Sequence, residues 1–351
     1  MSLLVAALLA LSPAVPSPFP EATLETIVEK ARAKLAVPGL SAVVAVDGEI
    51  RFSRGFGLAD VENAVPATPA TVYRLGSVSK PISATAVMQL AEEGKLDLDA
   101  PIQKYVPTFP EKPWPITSRE LLGHLGGIRH YEPGELENTR HFPSLLDALA
   151  LFEKDPLVAE PGTRYAYSTY GYTLLGCVLE AASGKTFMED LKARIFEPAS
   201  MASARDDDVF DIVPHRASGY ERTVGGGLRN SPLADTSYKI PGGGLCADAP
   251  DVARFALALL DGKLVSKETL KAMFASQKTR AGLKTGYGLG WAFDSFRGKR
   301  EVFHGGGQSR VSTLVYLHPE TSLVVVLLAN LEGVRPGLLE AARAISAALG
   351  R

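Results

Sequence analysis

Tyr73-Arg74-Leu75-Gly76-Ser77-Val78-Ser79-Lys80-Pro81 is the stretch on which the reading of this chain turns. Ile82, Val87, Leu90 and Ala91 follow at roughly helical spacing, and Gly94 ends the run. Pro81 falls in the first turn of that helix, where its missing N–H costs little. Residues three apart share a helix face, so the Ser77 hydroxyl and the Lys80 amine are expected side by side. They would sit where free N–H groups and the positive end of the dipole favour negative charge. By itself the pair is weak evidence. Ser is a common helix cap, and Ser-x-x-Lys arises about once by chance in a chain this long. Its weight depends on partners elsewhere.

The bulk composition narrows the classes. The chain has 351 residues, 46% hydrophobic and 22% charged, with a net charge of −2. That describes a soluble protein with a full core, and it argues against nucleic acid as a partner, since phosphate binding needs concentrated Lys and Arg. Cys177 and Cys246 are the only cysteines and read as two buried thiols. None of His124, His130, His141, His215, His304 and His318 shows metal-ligand spacing, so neither a metal nor another cofactor is expected. The apolar run Leu3 to Leu11, followed by Ser12-Pro13-Ala14, reads as a secretory signal leading into a Pro-rich linker that ends at Pro20. Export to a periplasmic or extracellular space is the expectation, and a cytoplasmic location if that run is not a signal. Nothing after it is long and apolar enough to span a membrane.

Periodicity gives the architecture. Glu21 to Leu35 reads as an amphipathic helix, and Leu40 to Val46 and Ile50 to Leu58 as two strands joined at Asp47-Gly48. A loop from Ala59 to Thr71 leads to the Ser77 helix. From residue 96 to 269 helical segments dominate, among them Thr117 to Leu122, Leu145 to Phe152, Tyr170 to Ala182, Phe187 to Ile195 and Asp251 to Leu260. Gly225 to Ser237 reads as a polar surface loop, and Gly242-Gly243-Gly244 as a close backbone approach. Strands return at Gly288 to Phe293, Arg300 to His304, Val311 to Leu317 and Leu323 to Ala329, and Leu338 to Leu349 closes the chain as a helix. The fold class expected is α+β: one antiparallel sheet from both chain ends, flanked by helices, with a mainly helical lobe inserted. A single catalytic domain over 21–351 would then hold a sheet lobe (21–95 and 270–351) and a helical lobe (96–269).

A serine nucleophile needs a base, a leaving-group acid and an oxyanion site. Two places offer them. Tyr165-Ala166-Tyr167-Ser168-Thr169-Tyr170 is dense in phenols, and Phe303-His304-Gly305-Gly306-Gly307 brings an imidazole to a strand end beside exposed N–H groups.

Ser77-Val78-Ser79-Lys80, Tyr167-Ser168-Thr169 and His304-Gly305-Gly306 together resemble, in order and spacing, the three motifs of the penicillin-recognising serine hydrolases. That superfamily includes class C β-lactamases, D-alanyl-D-alanine peptidases and family VIII esterases. Gly127-Ile128-Arg129-His130-Tyr131-Glu132, Tyr105 to Lys112 and Tyr167-Ser168-Thr169 look most like its LACTB-like branch. The resemblance implies a β-lactamase/transpeptidase-like fold and a serine hydrolase, peptidase or carboxylesterase, forming an acyl-enzyme with a small-molecule or peptide substrate. A true β-lactamase or carboxypeptidase is the alternative; a non-catalytic sensor or self-assembling scaffold is the alternative of another class. Ser77 would attack, Lys80 or Tyr167 would take the proton with Lys80 and His304 supplying a cationic field, and Tyr167 or His304 would aid the second transfer. The oxyanion would sit between the N–H groups of Ser77 and Gly307, with Thr169, Gly305 and Gly306 lining the substrate. Thr169 stands where the family has Asn, which holds a substrate amide there; this lowers the expectation of β-lactam hydrolysis. The LACTB-like branch also implies that homo-oligomers can form.

Overall fold

The computed structural model describes residues 19–351, so the leader-like run and most of the Pro-rich stretch lie outside the described residues. Seven antiparallel strands form the main sheet. In chain order they are β1 (Gly39–Val46), β2 (Glu49–Asp60), β3 (Val65–Pro66), β4 (Ala292–Phe296), β5 (Lys299–Gln308), β6 (Val311–His318) and β7 (Leu323–Ala329). Their spatial order is β3-β2-β1-β7-β6-β5-β4, so the first and last strand groups meet at the β1–β7 pair, with Val43 opposite Val326. This is the sheet from both chain ends that the periodicity predicts. Asp47 and Gly48 both take positive φ at the β1–β2 turn, the conformation a two-residue hairpin demands.

β1 and β7 are buried on both faces, which explains their unbroken apolar sequence. Alternation still sorts their side chains. Leu40, Ala42 and Val44 join Leu323, Val325 and Leu327 in one core, under α1 (Glu21–Lys34) and the terminal helix α5 (Arg335–Ala348). Val43 and Ala45, with Val324, Val326 and Leu328, face the other core. That larger core also holds α2 (Ser79–Glu92), α3 (Thr169–Ser183) and α4 (Ala249–Leu260).

Four expectations need correction. The strand expected over Arg300 to His304 does not end there: β5 runs on through Gly305 to Gly307 as far as Gln308. Gly288 to Trp291 is a turn rather than strand, because Gly290 has φ +90° and packs where a Cβ would lie 2.5 Å from Ala84 of α2. Gly225 to Ser237 holds a strand, Leu228–Asn230, paired with Tyr220–Arg222. The 187–195 helix stops at Leu191 and widens into a π-turn through Phe196. The described Cys177 and Cys246 are free and buried, as read from the sequence.

Candidate active site

Ser77 lies in a 3-10 turn, Gly76–Val78, that feeds directly into α2, so it is one turn ahead of the helix rather than its cap. The turn is pinned on both sides. Tyr73 and Arg74 pair with Ala247 and Cys246, and the Leu75 N–H donates to Leu245 O at 2.8 Å. From the sheet, the Thr313 hydroxyl donates to Leu75 O at 2.7 Å. Gly76 has φ +52°, and a Cβ there would lie 3.2 Å from the Gly307 nitrogen. Gly306 is more constrained: its Cβ would stand 2.2 Å from Leu75 O and 3.1 Å from the Ser77 nitrogen. The glycines of β5 therefore let its backbone lie against the Ser77 turn. β4 pairs with β5 only as far as Phe303, so beyond it that edge of β5 has no strand partner. An extended edge with free N–H groups thus runs beside Ser77, and the amide nitrogens of Ser77 and Gly307 come close together.

Lys80 is fully buried. Its Nζ lies 3.2 Å from Ser77 Oγ and donates to Thr169 Oγ1 at 3.1 Å and to Gly242 O at 2.6 Å. No carboxylate pairs with it among the described residues. Burial, reinforced by the Lys239 charge, holds its pKa well below the usual lysine value. Gly242 makes the contact possible, since a Cβ there would meet the Thr169 methyl at 2.6 Å.

Tyr167-Ser168-Thr169 is aimed by its middle residue. Ser168 caps α3, accepting from the Gly171 N–H at 2.9 Å and donating to Arg129 O at 2.6 Å. Two histidines brace the segment: His124 Nδ1 accepts from the Ser168 N–H at 3.2 Å and His130 Nδ1 from the Thr169 N–H at 3.3 Å. The Tyr167 ring then stands 4.8 Å from Lys80 Nζ. Burial pushes the Tyr167 phenol far above its usual range, and contact with the Ser77 hydroxyl offsets this only in part.

His304 departs from the expected role. Burial, with the Lys80 charge second, drives it down to about 3, so the imidazole is neutral. Its Nε2 is 2.8 Å from the Tyr287 hydroxyl. His304 therefore supplies no cationic field to help Tyr167 ionise, and burial keeps the phenol protonated near pH 7.

Tyr167, His304 and Gly305 line one cavity of about 390 Å³ with Tyr165, Tyr287 and Arg335. A larger cavity, about 640 Å³ around Met188, Phe196 and Met201, contains none of these groups. Sequence reading assigned no site role to His124, His130, Tyr287, Lys239 or Arg335. His124, His130 and Tyr287 carried a signal, since Leu121 to Leu125, Gly127 to Glu132 and Tyr287 to Trp291 each resemble the family.

Lys239 is 1% exposed and pulled down to about 7 by burial and by Arg74. It has no hydrogen-bond or ion-pair partner among the described residues. The charged and titratable groups around the two amines are Arg74, Asp207, Asp235, Glu137, His124, His130, His304, Tyr131, Tyr167, Tyr172 and Tyr238. Lys239→Met removes a like charge, so the pKa of Lys80 should rise. The acid limb of kcat/KM should then move to higher pH, with activity recovering on the alkaline side. A lower rate of unchanged pH profile would mean that Lys239 serves packing alone.

A serine, a buried amine, a phenol and an imidazole lie around an extended strand edge in a β-lactamase-like fold, and the chain belongs to the β-lactamase family: the family model matches residues 24–349. Among individual proteins it is similar to the human mitochondrial serine beta-lactamase-like protein LACTB. The two are 32% identical over 305 residues, which cover 67% of this chain and 56% of that protein, so the chain spans little more than half of that relative's length. An octameric penicillin-binding protein homologue from Pyrococcus abyssi superposes with a TM-score of 0.80 at 30% identity, covering 94% of this chain and 77% of that one. A D-stereospecific amidohydrolase from Streptomyces sp. gives 0.78 at 25% identity, covering 92% and 98%. The superfamily and branch that the motifs resemble are thereby supported.

Proposed function

We propose that the protein is a serine hydrolase that cleaves amide or ester bonds through an acyl-enzyme on Ser77. The observation that carries this is the setting of Lys80, buried 3.2 Å from Ser77 Oγ with its pKa held low, which makes it the base in its neutral form. A neutral amine has two N–H bonds and one lone pair. Gly242 O and Thr169 Oγ1 take the two N–H bonds, which leaves the lone pair for the Ser77 O–H. Lys80 is the base that accepts the serine proton as Oγ attacks the carbonyl carbon. The oxyanion forms between the N–H groups of Ser77 and Gly307. Lys80, now an ammonium beside a protonated Tyr167, returns the proton to the leaving group through that phenol. Water then attacks the ester, its proton passing back along the same pair. His304 is neutral and held by Tyr287, so it shapes the cleft and carries no charge in these steps.

Thr169 supports esters and simple amides without a second, side-chain amide over acylamino β-lactams and longer peptides. Its one hydroxyl already accepts from Lys80, leaving no amide to hold a penicillin side chain. The amidohydrolase among the structural relatives makes D-aminoacyl amides a substrate class to place first beside simple esters. A homo-oligomer is part of the proposal, given the octameric relative, as is export directed by the apolar N-terminal run.

The test is a panel of p-nitrophenyl esters, D- and L-aminoacyl amides and nitrocefin. Turnover of esters or amides at least about 100-fold above nitrocefin is expected, the scale of one lost transition-state contact. Nitrocefin turned over fastest would make the protein a β-lactamase.

A further inference from the structure

A separate cavity of about 420 Å³, lined by none of Ser77, Lys80, Tyr167 and His304, has three arginines in its lining. They come from three places: Arg74 from the short strand before Ser77, Arg216 from the loop after Val213, and Arg310 from the β5–β6 turn. Arg74 is 7% exposed. It pairs with Asp207 and donates from Nη2 to Ala234 O at 2.8 Å, while its buried Nη1 has no partner. Arg216 donates from Nη2 to Asp208 O at 2.8 Å and lies 3.5 Å from Asp207, while its buried Nε has no partner. The Arg310 side chain makes no hydrogen bond or ion pair among the described residues. Its backbone is held at φ +85°, a conformation that costs a non-glycine residue energy.

The charges do not balance. Asp207 serves Arg74 and Arg216 together. Asp235 also lines the cavity, but its oxygens are spent on His141 at 2.9 Å and on the Ser237 N–H at 2.7 Å. The carboxylate of Glu332 accepts from the Arg310 backbone N–H at 2.8 Å. Burial and then the Arg74 charge lower the pKa of Arg310, Asp207 offsets this in part, and Arg216 adds to the lowering, as expected of three like charges sharing one counter-ion. Clustered cations, of which Arg74 is buried and Arg216 and Arg310 half-buried, with idle N–H donors are costly unless an anion joins them. One guanidinium fork saturates a planar carboxylate. Three forks from three directions suit a tetrahedral oxyanion. The cavity exceeds a bare phosphate, and Phe210 and Leu233, 75% and 74% exposed, stand in its wall.

We propose that this cavity binds a phosphomonoester with a small apolar body, its phosphoryl oxygens held by Arg74, Arg216 and Arg310. The site is independent of the hydrolase reading, and its ligand need not be a substrate. Calorimetric titration of the full chain with phenyl phosphate, inorganic phosphate and benzoate tests it. Phenyl phosphate is expected to bind at least about tenfold more tightly than either of the others, the scale of one charge-assisted hydrogen bond. Arg310→Gln, which breaks no side-chain hydrogen bond or ion pair among the described residues, should weaken it by a similar factor, and Arg216→Gln likewise. Three results would each overturn the proposal: no heat with phenyl phosphate at millimolar concentration, benzoate or inorganic phosphate binding as tightly, or unchanged affinity in both variants.

Discussion

Ser77→Ala is expected to lower ester and amide turnover by on the order of 10⁴-fold or more, with a folded protein and little change in KM. The hydroxyl is small, and its removal takes one partner each from Lys80 and the Tyr167 phenol while leaving the anchors of the turn in place. Lys80 keeps its hydrogen bonds to Thr169 and Gly242, and the turn keeps its anchors through Leu75. The loss therefore falls on chemistry alone. Residual hydrolysis from the two oxyanion N–H groups should persist, because neither depends on the Ser77 side chain. Steady-state rates with p-nitrophenyl acetate, beside a thermal unfolding curve, check both halves. A variant within tenfold of the wild type would remove Ser77 from the reaction.

Lys80→Met and Lys80→Arg are both expected to cost roughly 10³-fold, the scale of a lost general base. The pair separates two roles that a single variant would confuse. Arginine keeps a positive charge but does not release its proton at any pH the protein survives. If Lys80 acted as a fixed cation, Arg would rescue it. If it acts as a neutral base, Arg fails as Met does. The second outcome follows from a buried amine with no carboxylate partner and a depressed pKa. The same geometry sets the pH dependence. Lys80 must be unprotonated, so kcat/KM should climb as pH rises through its lowered pKa and level off well below 10.5. Substantial activity with Lys80→Arg, measured over the full pH range, would refute the base assignment.

How much of this could be read from the sequence depended on how local each interaction is. The Ser77–Lys80 contact spans three residues, so helical spacing alone announces it. The apolar runs of β1 and β7 and the Asp47-Gly48 turn are legible for the same reason, since period-two alternation and turn chemistry act over a few residues. The boundary of β5 was not legible. Glycine weakens a strand intrinsically, and only the approach of the Ser77 turn, more than two hundred residues away, explains why strand geometry persists through Gly305 to Gly307. His304 misled because an isolated imidazole titrates near neutrality. Its burial against Tyr287 reverses that expectation, and the tyrosine is a neighbour only in space. Lys239 left no trace at all: a lysine before three glycines reads as a surface residue, yet the fold buries it beside the reacting amine.

The most direct measurement is the intact mass of the protein after reaction with a fluorophosphonate, followed by peptide mapping. One adduct per chain, carried by the peptide holding Ser77 and absent from Ser77→Ala, is the result this mechanism requires. An adduct on another residue, or stoichiometric labelling that survives Ser77→Ala, would contradict it.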